Sequence, residues 1–180
     1  GDAGGITAKD EEIGKKIRML RNHGRKTKYE HSADGLGERM DGLQGAILNV
    51  KLNYLESWTE KRIEIAKKYN DILKGTEGIT LPPVEGQTSV FHLYVIQLEK
   101  NRDLVFKKLR ERGVMAGIHY PIPLNKQPVY TDRNYGGENV TLPKSEEFAD
   151  KIISLPIFPE MKDEEIEYVT KTLKEVLRSL

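Results

Sequence analysis

The chain has 180 residues, 29 of them basic and 28 acidic, for a formal net charge of +1. That balance supplies no global basic field for nucleic acid, and no apolar run approaches the ~20 residues that cross a bilayer. Cysteine is absent, which excludes disulfides, thiolate metal sites and cysteine nucleophiles, and fits a reducing cytosol. The opening Gly1-Asp2-Ala3-Gly4-Gly5 shows no signal-peptide pattern and reads as the middle of a turn, so a fragment of a longer protein is expected.

Ile6, Thr7 and Ala8 read as a short extended piece, and Asp10 as the N-cap of a helix over residues 11–21. Ile13, Ile17 and Leu20 fall at helical spacing there, and His23-Gly24 marks the stop. Residues 25–38 are polar and glycine-containing, and read as a loop. From Met40 to Leu73 one long helix is expected, with Leu43, Ile47, Val50, Tyr54, Trp58, Ile65, Tyr69 and Ile72 on a 3.6-residue period. It would be about 50 Å long, more than one small domain needs, with a bend expected near Ser57, Trp58 and Thr59.

Gly75, Gly78, Pro82 and Pro83 mark a turn-rich connection. Residues 90–98 (VFHLYVIQL) form the best strand, residues 102–112 an amphipathic helix closed by Gly113, and residues 114–120 a second strand. Pro121, Pro123 and Pro128 argue against regular structure in the next segment. A short helix over 145–153, a short strand over 153–155 and a final helix over 163–178 complete the chain. Strands alternating with helices describe a small α+β domain, a short sheet covered on one side by helices.

Arg39 enters the long helix from a glycine-punctuated loop, where a guanidinium fork can grip a phosphate or carboxylate; a solvated helix-end arginine is the alternative. Gln44, one turn further on, is either a ligand donor or a surface amide. His119 and Tyr120 close a strand at a proline-fixed loop, a place for a ligand-facing imidazole and phenol, although a lone histidine there also serves packing. His23 and His31 flank a basic loop with Arg21, Arg25, Lys26, Lys28 and Tyr29, suited to an anion such as a nucleotide diphosphate or simply solvated. Histidines at 23, 31, 92 and 119 show no metal-ligand spacing, and no metal site is expected.

Five blocks carry a resemblance: RMLRNHGRKTKYEH (18–31), GERMDGLQGAILNVKLNYLESWTEKR (37–62), FHLYVI (91–96), GIHYPIPLNKQPVY (117–130) and SLPIFPEM (154–161). In this order and spacing the chain resembles the C-terminal half of the DegT/DnrJ/EryC1/StrS aminotransferases, pyridoxal phosphate (PLP)-dependent sugar aminotransferases of fold type I. The resemblance implies an α/β fold for the whole family. Within it, residues 1–39 would end the large PLP-binding domain with its active-site loop, residues 40–74 would form a long interdomain helix, and residues 75–180 a small C-terminal domain. It further implies a cytoplasmic homodimer with active sites shared between subunits. The implied reaction moves an amino group from an amino acid, commonly glutamate, to a keto group of a nucleotide-linked deoxysugar, in cell-surface polysaccharide or secondary-metabolite biosynthesis.

The same resemblance places the Schiff-base lysine ahead of Gly1, so no catalytic residue is expected in this chain, which alone would be inactive. It gives Arg39, His119 and Tyr120 as substrate-binding residues. Asn125 stands where the family has a further histidine, and is expected to contact substrate by hydrogen bonding. Gly37 occupies the cofactor-binding position where the family often has an asparagine on the PLP phosphate, and it has no side chain to offer. These departures keep a second reading open, a non-catalytic dimerisation or regulatory module of the same fold. In either case an apolar surface and self-association are expected of the isolated piece.

Overall fold

The structure is a computed structural model and describes residues 3–86, 89–131 and 140–180. It divides into two compact units, Gly1–Leu55 and Glu56–Leu180.

In the first unit Asp10 caps helix α1 (Glu11–Leu20) by accepting from the Ile13 amide at 3.0 Å, and Glu11 and Glu12 sit at its positive end. The chain reverses through His23 (φ 61°) and Gly24 (φ 65°). Glycine is required at 24, because a Cβ there would lie 1.7 Å from the Ala33 carbonyl oxygen. The segment expected as a plain loop is pinned by its own backbone. Leu36 N donates to Leu20 O (2.9 Å), His23 N to Leu36 O (3.0 Å), Glu38 N to Arg21 O (2.9 Å) and Ser32 N to Gly24 O (2.9 Å). Asp41 then leads into α2 (Gly42–Leu52).

The single helix expected over residues 40–73 is two helices, α2 and α3 (Leu55–Leu73). Asn53 N bonds Val50 O and Tyr54 N bonds Lys51 O, a tightened final turn that ends α2 a few residues before the expected bend. Neither glycine nor proline marks the spot, and the apolar period runs straight through it.

The second unit holds a three-stranded antiparallel sheet in the order β1 (Ile79–Thr80), β2 (Tyr94–Leu98), β3 (Ile152–Leu155). Its register pairs Ile79 with Leu98, Tyr94 with Leu155 and Ile96 with Ile153. Helices α4 (Arg102–Glu111), α6 (Pro143–Lys151) and α7 (Asp163–Arg178) complete the α+β architecture. The core joins Ile65, Tyr69 and Leu73 of α3 to Tyr94, Ile96 and Leu98 of β2, Val105 and Leu109 of α4, and Leu173 and Val176 of α7, all buried. Two phenols are satisfied within it: Tyr69 Oη donates to Pro156 O (2.8 Å) and Tyr94 Oη to Asn70 Oδ1 (2.6 Å).

Three sequence expectations change here. Residues 114–120 are not a strand: Ala116 N turns back onto Val114 O at 2.8 Å, and only Gly117 pairs, with Ser154. The strand expected from residue 90 begins at Tyr94, because Phe91 (φ 46°) bends the chain first. The proline-rich segment contains a 3-10 turn (Leu124–Lys126) and a short helix α5 (Pro128–Thr131), with Pro128 at the first helical position, where its missing N–H costs nothing.

Candidate substrate-side site

Arg39 lies exposed in the first unit, three residues before α2. It lines a cavity of about 980 Å³ with Lys9, Arg18 and Arg21, beside the acidic Asp10, Glu11 and Glu38. The cavity can therefore take a carboxylate or phosphate on its cations. Gln44 serves the fold instead: its Oε1 accepts from the Asp41 amide at 3.2 Å, closing the N-terminus of α2.

The basic loop is largely bonded to itself. The Arg25 guanidinium donates to the Lys28 carbonyl, and Lys28 Nζ lies 5.2 Å from the Tyr29 ring centroid. His31 Nδ1 meets the His23 carbonyl at 2.7 Å. A carbonyl only accepts, so His31 carries its proton on Nδ1.

Gly37 tests whether this chain can hold the cofactor phosphate as the resemblance expects. It offers backbone groups only, and a Cβ there would lie 3.0 Å from His23 Cε1 and 3.5 Å from Nε2. The imidazole would have to give by a few tenths of an ångström to admit a side chain there. With glycine at this position the chain offers PLP no side-chain contact here.

The second unit assembles the other candidates. The chain from Gly117 is tied to β3 by a reciprocal pair of backbone bonds, Gly117 N to Ser154 O (2.9 Å) and Ser154 N to Gly117 O (2.8 Å). His119 folds back so that Nδ1 lies 2.9 Å from Ser154 Oγ. The Tyr120 ring stands edge-on to the imidazole, centroids 5.6 Å apart at 84°, and is 73% exposed. A half-buried imidazole beside an exposed phenol can hydrogen-bond and cover a polar ring such as a sugar.

Asn125 is placed differently from the expectation of an open ligand contact. It is buried, with Nδ2 donating to Val140 O (2.9 Å) and Glu146 Oε1 (2.8 Å). Glu146 Oε1 also accepts from the Leu142 amide at 3.0 Å and lies 3.5 Å from Lys126 Nζ. The Leu142 amide first, then Asn125 and Lys126, hold this carboxyl below the usual carboxylate range. The asparagine thus ties the start of this segment to the entry of α6. Ser154, which meets the His119 ring, is not among the residues expected from the sequence. Its one signal was a hydroxyl in an otherwise apolar strand, IISL.

Among the described residues no group of three or more His, Asp or Glu is arranged to hold a metal ion. Nor is any described helix long and apolar enough to cross a membrane.

The fold defines the class: it is shared with solved aminotransferases, among them structures holding PLP or PMP. More closely, the chain belongs to the DegT/DnrJ/EryC1/StrS aminotransferase family, whose model matches residues 1–174. The "Pleiotropic regulatory protein" of Geobacillus stearothermophilus is 39% identical over 99% of this chain and 48% of its own length. The dTDP-3-amino-3,4,6-trideoxy-alpha-D-glucose transaminase of Streptomyces venezuelae is 36% identical over 90% of this chain and 42% of its own. The crystal structure of S. venezuelae DesV in complex with a ketimine intermediate matches with a TM-score of 0.82 at 35% identity, over 92% of this chain and 44% of that one. The chain spans about half the length of the curated relatives it matches.

Proposed function

We propose that this chain is the C-terminal portion of a PLP-dependent aminotransferase that moves an amino group, with glutamate as donor, to a keto group of a nucleotide-linked deoxysugar. The observation that carries the reading is the His119 and Tyr120 pair, held against β3 within the residues that the family model matches. In this reading the pair contacts the sugar nucleotide. Arg39 binds an anionic group of substrate across a homodimer interface, as a fork that a lysine would not reproduce. The lysine that carries the cofactor lies ahead of Gly1. Asn125 acts by holding its segment to α6 rather than by touching substrate.

The test is a chimaera in which these 180 residues replace the matching part of the S. venezuelae transaminase. Supplied with PLP, glutamate and a keto-sugar nucleotide, it is expected to form the amino sugar, read by mass spectrometry. Borohydride is expected to fix PLP on a lysine outside the 180 residues. A folded, PLP-loaded chimaera that forms no amino sugar contradicts the reading, as does PLP fixed on a lysine of this chain.

A second reading, a non-catalytic dimerisation or regulatory module, is favoured by the regulatory and sensory names of two relatives at 39% identity and by the missing side chain at Gly37. The same experiment separates the two, since a module would assemble with the retained half and yield no product.

A further inference from the structure

His119 is held on two sides by residues to which no role has been assigned. Its Nδ1 lies 2.9 Å from Ser154 Oγ, and Ser154 is only 3% exposed. That contact is the one hydrogen bond the serine side chain makes among the described residues. A buried hydroxyl needs an acceptor for its proton, so Ser154 donates and Nδ1 accepts. The ring proton then sits on Nε2, which has no partner among the described residues.

Beneath the ring lies Gly117. A Cβ built on it would fall 2.5 Å from His119 Cε1 and 3.3 Å from both ring nitrogens. No positive φ accompanies this glycine, so the backbone does not call for it; the close approach of the imidazole does. Because Gly117 and Ser154 also exchange both backbone bonds, the floor and the hydroxyl form one rigid bracket on β3.

We infer that Ser154 and Gly117 are positioning residues that seat the His119 imidazole in the Nε2–H form and so present a hydrogen-bond donor to an oxygen of the bound sugar nucleotide. The donor's target rests on the substrate-side reading above; the seating of the ring does not.

The two parts are tested separately. In the labelled 180-residue chain, a nuclear Overhauser contact between His119 Hε1 and Gly117 Hα is expected, with the ring nitrogen pattern of the Nε2–H form. Ser154→Ala should weaken that contact at least threefold while leaving the amide spectrum dispersed, and Gly117→Ala should abolish it. A dispersed Ser154→Ala spectrum with the contact intact, or its absence from the unaltered chain, overturns the seating.

In the chimaera, Ser154→Ala is expected to raise KM for the keto-sugar nucleotide about tenfold, ~1.4 kcal/mol, with a smaller change in kcat. In a His119→Ala background it should add nothing, because its effect passes through the ring. Additive effects overturn the positioning role. A His119→Ala chimaera with unchanged KM overturns the substrate-side reading and the donor's target, while the Overhauser result still decides the seating.

Discussion

Arg62 shows at the level of one residue how the second unit joins distant parts of the chain. Its Nη1 reaches Ile157 O at 3.0 Å, His92 O at 3.3 Å and Phe91 O at 3.5 Å, spanning α3, the bend before β2 and the segment after β3. Hydrogen bonds to a charged donor contribute more than neutral ones, so Arg62→Ala is expected to cost about 2 kcal/mol in urea unfolding. Arg62→Lys should recover less than half, since the shorter side chain ends its ammonium short of the Nη1 position that reaches all three carbonyls.

Tyr69 and Tyr94 make a second residue-scale prediction. Burial, first of all, raises both phenols above their ordinary value. A group with a raised folded-state pKa adds stability that is complete below the unfolded value, near ~10 for tyrosine, and is lost as pH rises beyond it. Stability should therefore fall above that pH by up to ~1.4 kcal/mol per unit for each phenol. The Tyr69→Phe, Tyr94→Phe double variant is expected to start lower and show a flatter alkaline slope; an unchanged slope contradicts the burial account.

Among the elements, the entry of α6 depends on a carboxylate that acid protonates. The Leu142 amide and Asn125 both donate to Glu146, whose carboxyl is held below its usual range. For a lowered pKa the stabilisation is present above the unfolded value and lost as pH falls through the folded one. The Leu142 amide should lose hydrogen-exchange protection, after correction for intrinsic rates, below pH ~4, earlier than amides in the middle of α7. Uniform loss in both helices contradicts this placement. Elements with strong periodicity were legible in the sequence: α1, α4 and α7 follow their apolar spacing, and Asp10 caps as its residue type requires. What escaped were features set by backbone geometry. The break at Asn53 leaves the apolar period intact, and the turn at Ala116 interrupts the strand expected over residues 114–120. His119 and Tyr120 were legible as a pair through their block, whereas Ser154 needed the register of β3 to bring it to the ring.

For the molecule as a whole, the two units differ in kind. The second encloses the entire buried apolar core, whereas no apolar side chain of the first is buried among the described residues. Leu43, Ile47, Val50 and Leu52 of the first unit are each more than half exposed. Burial of apolar surface is the dominant favourable term in folding, so residues 56–180 made alone are expected to unfold cooperatively with a Tm within a few degrees of the 180-residue chain. Non-cooperative melting of that piece contradicts the assignment of the core to it.

His119 and Tyr120 are proposed to give this chain the substrate side of a sugar aminotransferase. The most direct test of that claim is kcat/KM for the keto-sugar nucleotide in the chimaera. His119→Ala and Tyr120→Phe are each expected to lower it at least tenfold, ~1.4 kcal/mol of transition-state stabilisation. Values within twofold of the unaltered chimaera for both variants would contradict the claim.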